Sequence, residues 1–213
     1  MTTKKILLFI VFLLLILISC QQNRKNFQHA IAYNYILQAH ELYENGDTLA
    51  AVKFYDKAIE LDSLQPDWFY NRGVILEQIG DSIRGFADLL KSIEIDSLYE
   101  AGYFAIGATL YEQGKYAESI YYGEKLVFLN PDGWTSYGLG LSYYQIGEYE
   151  KALRHLMRYD TVNKDQMWTN YFLGMSYKGF GNMSLASEYL NRASEQGLQE
   201  AKEELDKLKT SSK

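Results

Sequence analysis

Apolar and polar positions follow a helical rhythm over most of this chain, and the rhythm restarts at fixed intervals. Tyr35, Ala39, Leu42 and Tyr43 fall at helical spacing, and beyond a polar corner Ala51, Phe54, Tyr55, Ala58 and Leu61 do so again. The corner, Asn45-Gly46-Asp47, recurs as Ile79-Gly80-Asp81, Gln113-Gly114-Lys115, Ile146-Gly147-Glu148 and Phe180-Gly181-Asn182. Its glycines stand 34, 34, 33 and 34 residues apart. A constant period of this size predicts an array of helix pairs, each too small to bury its apolar face alone. Glycine suits the corner because a helix C-terminus often ends in a left-handed residue. With that glycine at position 15, the repeats cover 32–65, 66–99, 100–132, 133–166 and 167–198. Beyond them, Ala201, Leu205 and Leu208 form one stripe among Glu and Lys, predicting a capping helix over 199–209. Glu203 and Lys207 make an i,i+4 pair on it, and 210–213 is expected to fray.

The first residues break the rhythm. Lys4-Lys5 precede an unbroken apolar run of 13 residues, Ile6 to Ile18. The run is short for a bilayer span and fits the core of a signal peptide over 1–19. Residues 20–31, from Cys20 through Gln-Gln-Asn-Arg-Lys-Asn, are polar without helical period and read as a tether.

Composition narrows the function. At 213 residues and 47% hydrophobic the chain can bury a sizeable core, and only 2 prolines suit long helical stretches. The net charge is −6 with no basic block, so no nucleic-acid partner is expected. His29, His40 and His155 are dispersed, and no His-x-x-x-His or Cys-x-x-Cys occurs. Ser119 lacks a nucleophile-elbow context. Gly138-Leu139-Gly140 has no strand before it, and its glycines fit close helix contacts better than a phosphate loop. No metal, cofactor or catalytic residue is expected.

The repeats carry Leu139-Gly140-x2-Tyr143 with Ala152, and Leu173-Gly174-x2-Tyr177 with Ala186 and Ala193; weaker versions hold Phe69, Gly73 and Leu76, and Tyr103, Gly107, Leu110 and Pro131. This resembles the tetratricopeptide repeat over residues 32 to about 200. The resemblance implies an all-α fold, a right-handed α-solenoid of about five helix pairs plus a C-terminal capping helix. It implies small residues at position 8 (Ala39, Gly73, Gly107, Gly140, Gly174), and a concave face lined by positions 2, 5, 9 and 12 of the first helices. On that face and beside it stand Tyr33, His40, Tyr43, Tyr70, Asn71, Phe104 and Tyr111, then Trp134, Tyr137, Tyr144, Trp168, Tyr171 and Lys178. They are candidates for binding a partner protein or peptide, since Tyr and Trp give large contact area at little entropy loss. Packing between repeats is the other use of such rings, and the sequence leaves the choice open. The carboxylate clamp of some tetratricopeptide proteins is not expected, because only Asn71 fits it.

Several positions depart from the pattern. Gly85 and Gly123 lie inside second helices, where each is expected to cost about 1 kcal/mol relative to Ala. Position 4 is Ser136 and Asn170 in the last two repeats, and the third repeat is one residue short near Pro131-Asp132-Gly133, where a change of superhelical angle is expected.

Leu17-Ile18-Ser19-Cys20 resembles the bacterial lipobox. That resemblance implies cleavage after Ser19, lipid on the Cys20 sulfur and acylation of the new N-terminus. Two or three acyl chains hold a protein firmly on a membrane. Gln21, in place of the aspartate that retains such lipoproteins at the inner membrane, implies the outer membrane, facing the periplasm. Cleavage leaves 19 basic against 27 acidic groups, a net charge of −8. The expected role is a non-enzymatic scaffold, anchored in the cell envelope, that binds a partner protein or peptide in an aromatic groove. An assembly or pilotin-like factor of an outer-membrane or secretion complex is one alternative. A soluble-ligand-binding or accessory protein is another. Cys20→Ser is expected to release the protein from the membrane fraction; a membrane-bound protein with an unprocessed N-terminus contradicts the lipobox.

Overall fold

The computed structural model describes residues 3–131 and 133–211; the side chains of 3–11, 134 and 211 lie outside the description. Its helices fall into two compact units, Met1–Ser97 and Leu98–Lys213. The first holds α1 (Thr3–Glu44), α2 (Thr48–Leu61), α3 (Pro66–Gln78) and α4 (Ser82–Ile95). The second holds α5 (Glu100–Glu112), α6 (Tyr116–Leu129), a 3₁₀ turn (Gly133–Thr135), α7 (Ser136–Gln145), α8 (Tyr149–Val162), α9 (Met167–Phe180), α10 (Met183–Glu195) and α11 (Gln199–Ser211). The fold is all-α, an α-solenoid of helix pairs, with no strand among the described residues.

The corners explain the period. At Gly46 the backbone has φ +85°, and the next amide, Asp47 N, donates back to Leu42 O at 2.8 Å. This closure satisfies carbonyls that a helix end leaves without partners. The same bond recurs from Asp81, Lys115, Glu148 and Asn182. Leu198 makes it too, after Gly197 at φ +101°, so the capping helix is entered through a sixth corner of the same kind. Asp47 and Asn182 then cap the following helices, accepting from Ala50 N and Leu185 N at 3.1 Å each.

In the first unit, Ala32, Ile36 and Ala39 of α1 pack on Val52, Tyr55 and Ala58 of α2 and on Trp68, Ile75 and Leu76 of α3. Arg72 lies at the centre of a charged tie: its Nε and Nη2 donate to the Asp88 carboxylate at 2.7 and 2.8 Å, and its Nη1 to Asp56 at 2.7 Å. Burial opposes the charge on Arg72, but the two carboxylates outweigh it and raise its pKa. The tie joins the second helix of one repeat to both helices of the next.

Residues 20–31, expected as a tether, are helical as part of α1. The helix has partners there that the local sequence does not show: the His29 ring stacks on Trp68 with centroids 5.7 Å apart, and its Nδ1 lies 2.6 Å from Asp62 Oδ2. Further back, Phe12 to Ile18 are exposed. Among the described residues no helix is long and apolar enough to cross a membrane.

In the second unit α11 covers the last pair, with Leu198, Ala201 and Leu205 buried against Leu190 and Ala193. Lys207 meets Glu204 at 2.6 Å, and Glu204 also takes Lys178 at 2.5 Å. Glu204 lies nearer the packed side of the helix, so it reaches α9. Asn170, the odd residue at position 4, is buried and donates to Asp165 Oδ1 at 2.7 Å and to Gln196 Oε1 at 3.1 Å. It fastens the start of α9 to the end of α10. Where the third repeat is short, the 3₁₀ turn opens the next one, and Gly133 lies so close to Arg158 O that a Cβ would overlap it.

Arg72→Met is expected to lower the unfolding free energy by about 3 kcal/mol, because it leaves the buried Asp88 carboxylate without its partner. Urea denaturation of the two proteins measures this.

Candidate binding site

A pocket of about 470 Å³ opens in the second unit between α5, α6 and α7. Phe104, Ala108 and Tyr111 line it from α5, Tyr137 and Leu141 from α7, and Tyr159 from α8. Phe104 is 62% exposed and Ala108 is exposed, so the pocket is open on the first-helix side. Burial, with a smaller effect from Tyr159, pushes the Tyr137 phenol up to about 12, so it remains a neutral hydroxyl at physiological pH.

The cavity has a cause in the repeat itself. At position 24 the helix pairs carry Tyr55, Leu89, Gly123, Leu156 and Leu190, and all but the glycine are fully buried side chains. At position 8 a Cβ added to Gly140 would meet Leu156 Cγ at 2.8 Å, and one added to Gly174 would meet Leu190 Cγ at 2.7 Å. A Cβ on Gly107 meets nothing nearer than Ser119 O at 3.8 Å. The third pair therefore lacks the side chain that fills this place elsewhere, and Gly107 and Gly123 both line the pocket. Gly123 was expected only to weaken its helix; it also lines the pocket, and a Cβ there would come within 3.2 Å of Leu139 Cδ1, so it lets α7 pack close to α6. Gly85 also differs from that expectation. It is buried, and a Cβ there would meet Gly73 O at 2.9 Å, so alanine would press α4 off α3.

The other candidates divide. Phe104, Tyr111 and Tyr137 come together at the pocket. Tyr137 also packs beside Leu153, Leu156 and Leu173, so binding and packing meet in one ring. Tyr144 and Trp168 join a second aromatic run through Phe172, at 5.5 and 6.2 Å, and Trp168 is 44% exposed. Tyr171 sits at 5.9 Å from Trp168 and packs on the core of the last pair. Lys178, a candidate for the groove, is held by Glu204 of α11. The side chain of Trp134 lies outside the described residues. In the first unit Tyr33 is exposed, Tyr70 and Asn71 are half-buried, and the exposed His40 lies against Tyr55 at 5.9 Å. Tyr43 donates to Gln78 of the next repeat at 2.8 Å, and the equivalent Tyr111 accepts from Gln145 at 2.9 Å. These two bonds tie neighbouring first helices at matching positions. Tyr103 and Tyr159 also line the pocket and were not among the candidates, since neither occupies a first-helix position expected on the concave face.

The Ser119 hydroxyl donates to Gly107 O at 2.8 Å, and the residue is buried.

Helix pairs closed by glycine corners, with small residues where the helices touch, define an α-solenoid. The comparisons agree with the tetratricopeptide pattern: a family model described as TPR repeat matches residues 39–80. Small glutamine-rich tetratricopeptide repeat-containing protein 2 of Mycosarcoma maydis is 33% identical over 82 residues, 38% of this chain and 23% of that protein. TPR repeat-containing protein MJ1428 of Methanocaldococcus jannaschii is 27% identical over 139 residues, 64% of this chain and 24% of that protein. The chain spans about a quarter of the length of these curated relatives. Among solved structures, YrrB, described as a TPR protein with an unusual peptide-binding site, superposes with TM-score 0.74 at 21% identity, covering 89% of this chain and 96% of that one. MamA from Desulfovibrio magneticus RS-1 gives TM-score 0.71 at 19% identity over 77% of this chain and 93% of that one. Identities this low bear on the fold alone.

The glycines give a matched test of the packing. Gly140→Ala is expected to lower stability by about 1–3 kcal/mol through overpacking against Leu156. Gly107→Ala is expected to be neutral or to gain up to about 1 kcal/mol from helix propensity. Urea unfolding of the two variants side by side measures the contrast.

Proposed function

We propose that this protein is a non-enzymatic interaction scaffold that holds a segment of a partner polypeptide on the first-helix face of its second unit. One observation carries the proposal: the open, mostly apolar pocket between α5, α6 and α7, with exposed Phe104 and Ala108 at its edge. A concave apolar site with a few polar groups is the usual form of a ligand site. The peptide-binding site described for YrrB supports a polypeptide as the ligand class. Placement at the envelope belongs to the same proposal. Lipid on Cys20, which is exposed on α1, would hold the chain there, and the exposed apolar side chains of Phe12 to Ile18 suit a segment made for apolar surroundings. No catalytic step is assigned.

Photo-crosslinking tests the interaction. With p-benzoylphenylalanine in place of Phe104, a covalent adduct with a polypeptide is expected in envelope preparations. With the same group in place of the exposed Glu118 on α6, no adduct is expected. Equal adducts at both positions, or none at position 104, contradict the proposal.

A further inference from the structure

Gly107 and Gly123 leave a place inside the third helix pair that the same chain fills in its other pairs. Tyr55, Leu89, Leu156 and Leu190 occupy the equivalent place and are buried to 1% exposure or less. In the third pair no side chain comes within 3.8 Å of where a Gly107 Cβ would lie. We propose that a bound polypeptide supplies the missing group: one leucine-like or phenylalanine-like side chain inserts between α5 and α6 over Gly107 and Gly123. This rests on the interaction scaffold proposed above and names the anchoring chemistry of its ligand.

Three observations favour a polypeptide side chain over a free hydrocarbon or a second copy of the chain. The residues that fill the equivalent place are themselves amino-acid side chains, three of them leucine, so the contours are those of a branched aliphatic group. The rim is not purely apolar: Tyr111, Tyr137 and Glu112 are among the lining residues, and a hydroxyl or carboxylate there can serve a peptide backbone or a neighbouring residue as a hydrogen-bond partner. The charge also selects: with a net charge of −6 and Glu112 at the edge, a neutral or basic segment is favoured over an acidic one, and over a second copy of this acidic chain. One buried apolar anchor in a pocket, ringed by near-neutral contacts, is a common energetic plan for such complexes.

Panning a phage-displayed library of random dodecapeptides on the full-length protein tests this. Enriched peptides are expected to share one Leu, Ile, Met or Phe, and alanine at that residue is expected to weaken binding about tenfold or more. Gly123→Leu puts a leucine at position 24, the residue three of the sibling pairs carry there. It is expected to weaken the parent peptide by a similar factor and to bind parent and alanine peptides equally. Because a Gly123 Cβ lies 3.2 Å from Leu139 Cδ1, Gly107→Leu serves as a second filling from the opposite wall, with circular dichroism checking both. Methyl NMR of the unaltered protein needs neither variant: the Leu126, Leu139 and Leu141 methyls are expected to shift with the parent peptide and not with the alanine peptide. If these methyls do not respond, or the filled variants bind undiminished while Phe104→Ala weakens binding, peptides bind the face without inserting a side chain, and the anchoring proposal is overturned. If no peptide is enriched over a Phe104→Ala, Tyr111→Ala double variant, the face binds no peptide and the wider function falls with it. A dimer seen by analytical ultracentrifugation that Gly123→Leu abolishes assigns the pocket to a second copy and also overturns the proposal.

Discussion

Every helix pair in this protein depends on how closely its two helices can approach. Position 8 of the first helix and position 20 of the second are small in each repeat: Ala39 and Ala51, Gly73 and Gly85, Gly107 and Ser119, Gly140 and Ala152, Gly174 and Ala186. Small residues there bring backbones near enough for a large side chain at position 24 to lie across the contact, as Leu156 lies over Gly140 and Leu190 over Gly174. Dense interiors leave little tolerance, so one methyl on the wrong glycine is felt. The corners, the caps and the stacking of neighbours all presuppose this approach. In the third pair the position-24 side chain is absent and the nearest atom to a Gly107 Cβ is Ser119 O at 3.8 Å, so a cavity stands where the other pairs are filled.

Local rules of chain geometry made much of the fold legible in the sequence. A left-handed residue ends a helix, and five glycines at a near-constant period mark five such ends; the structure has each of them at positive φ. The stripe of Ala201, Leu205 and Leu208 foretold a covering helix, and α11 covers the last pair, although it runs through Thr210 into Ser211 beyond the expected end. What escaped was pairing between elements. Nothing near Arg72 in the chain announces Asp56 and Asp88, each 16 residues away, and nothing near Lys178 announces Glu204. His29 was assigned to a tether because its neighbours are polar, yet its partners lie far along the chain, Asp62 just after the second helix and Trp68 in the third.

The site was half legible. First-helix positions brought Phe104, Tyr111 and Tyr137 to notice, and the structure sets them around one pocket. Propensity alone misjudged the glycines, because it scores a residue against its own helix. Gly85 is needed for the approach of α4 to α3, and Gly123 matters for what it omits. Reading the same position down the repeats, Tyr55, Leu89, Gly123, Leu156 and Leu190, was the signal available for the pocket.

Repeat arrays unfold to a good approximation as a row of nearest-neighbour contacts, so an end repeat can open while the rest stays closed. The charged tie at Arg72 changes this within the first unit. Opening α2 away from α3 would uncover one arm of a guanidinium whose other arm stays buried with Asp88. Fraying of the first repeat then costs more than its apolar contacts alone. Amide protons along α2 should thus exchange together with those of α3 and α4, as one cooperative block, and not ahead of them.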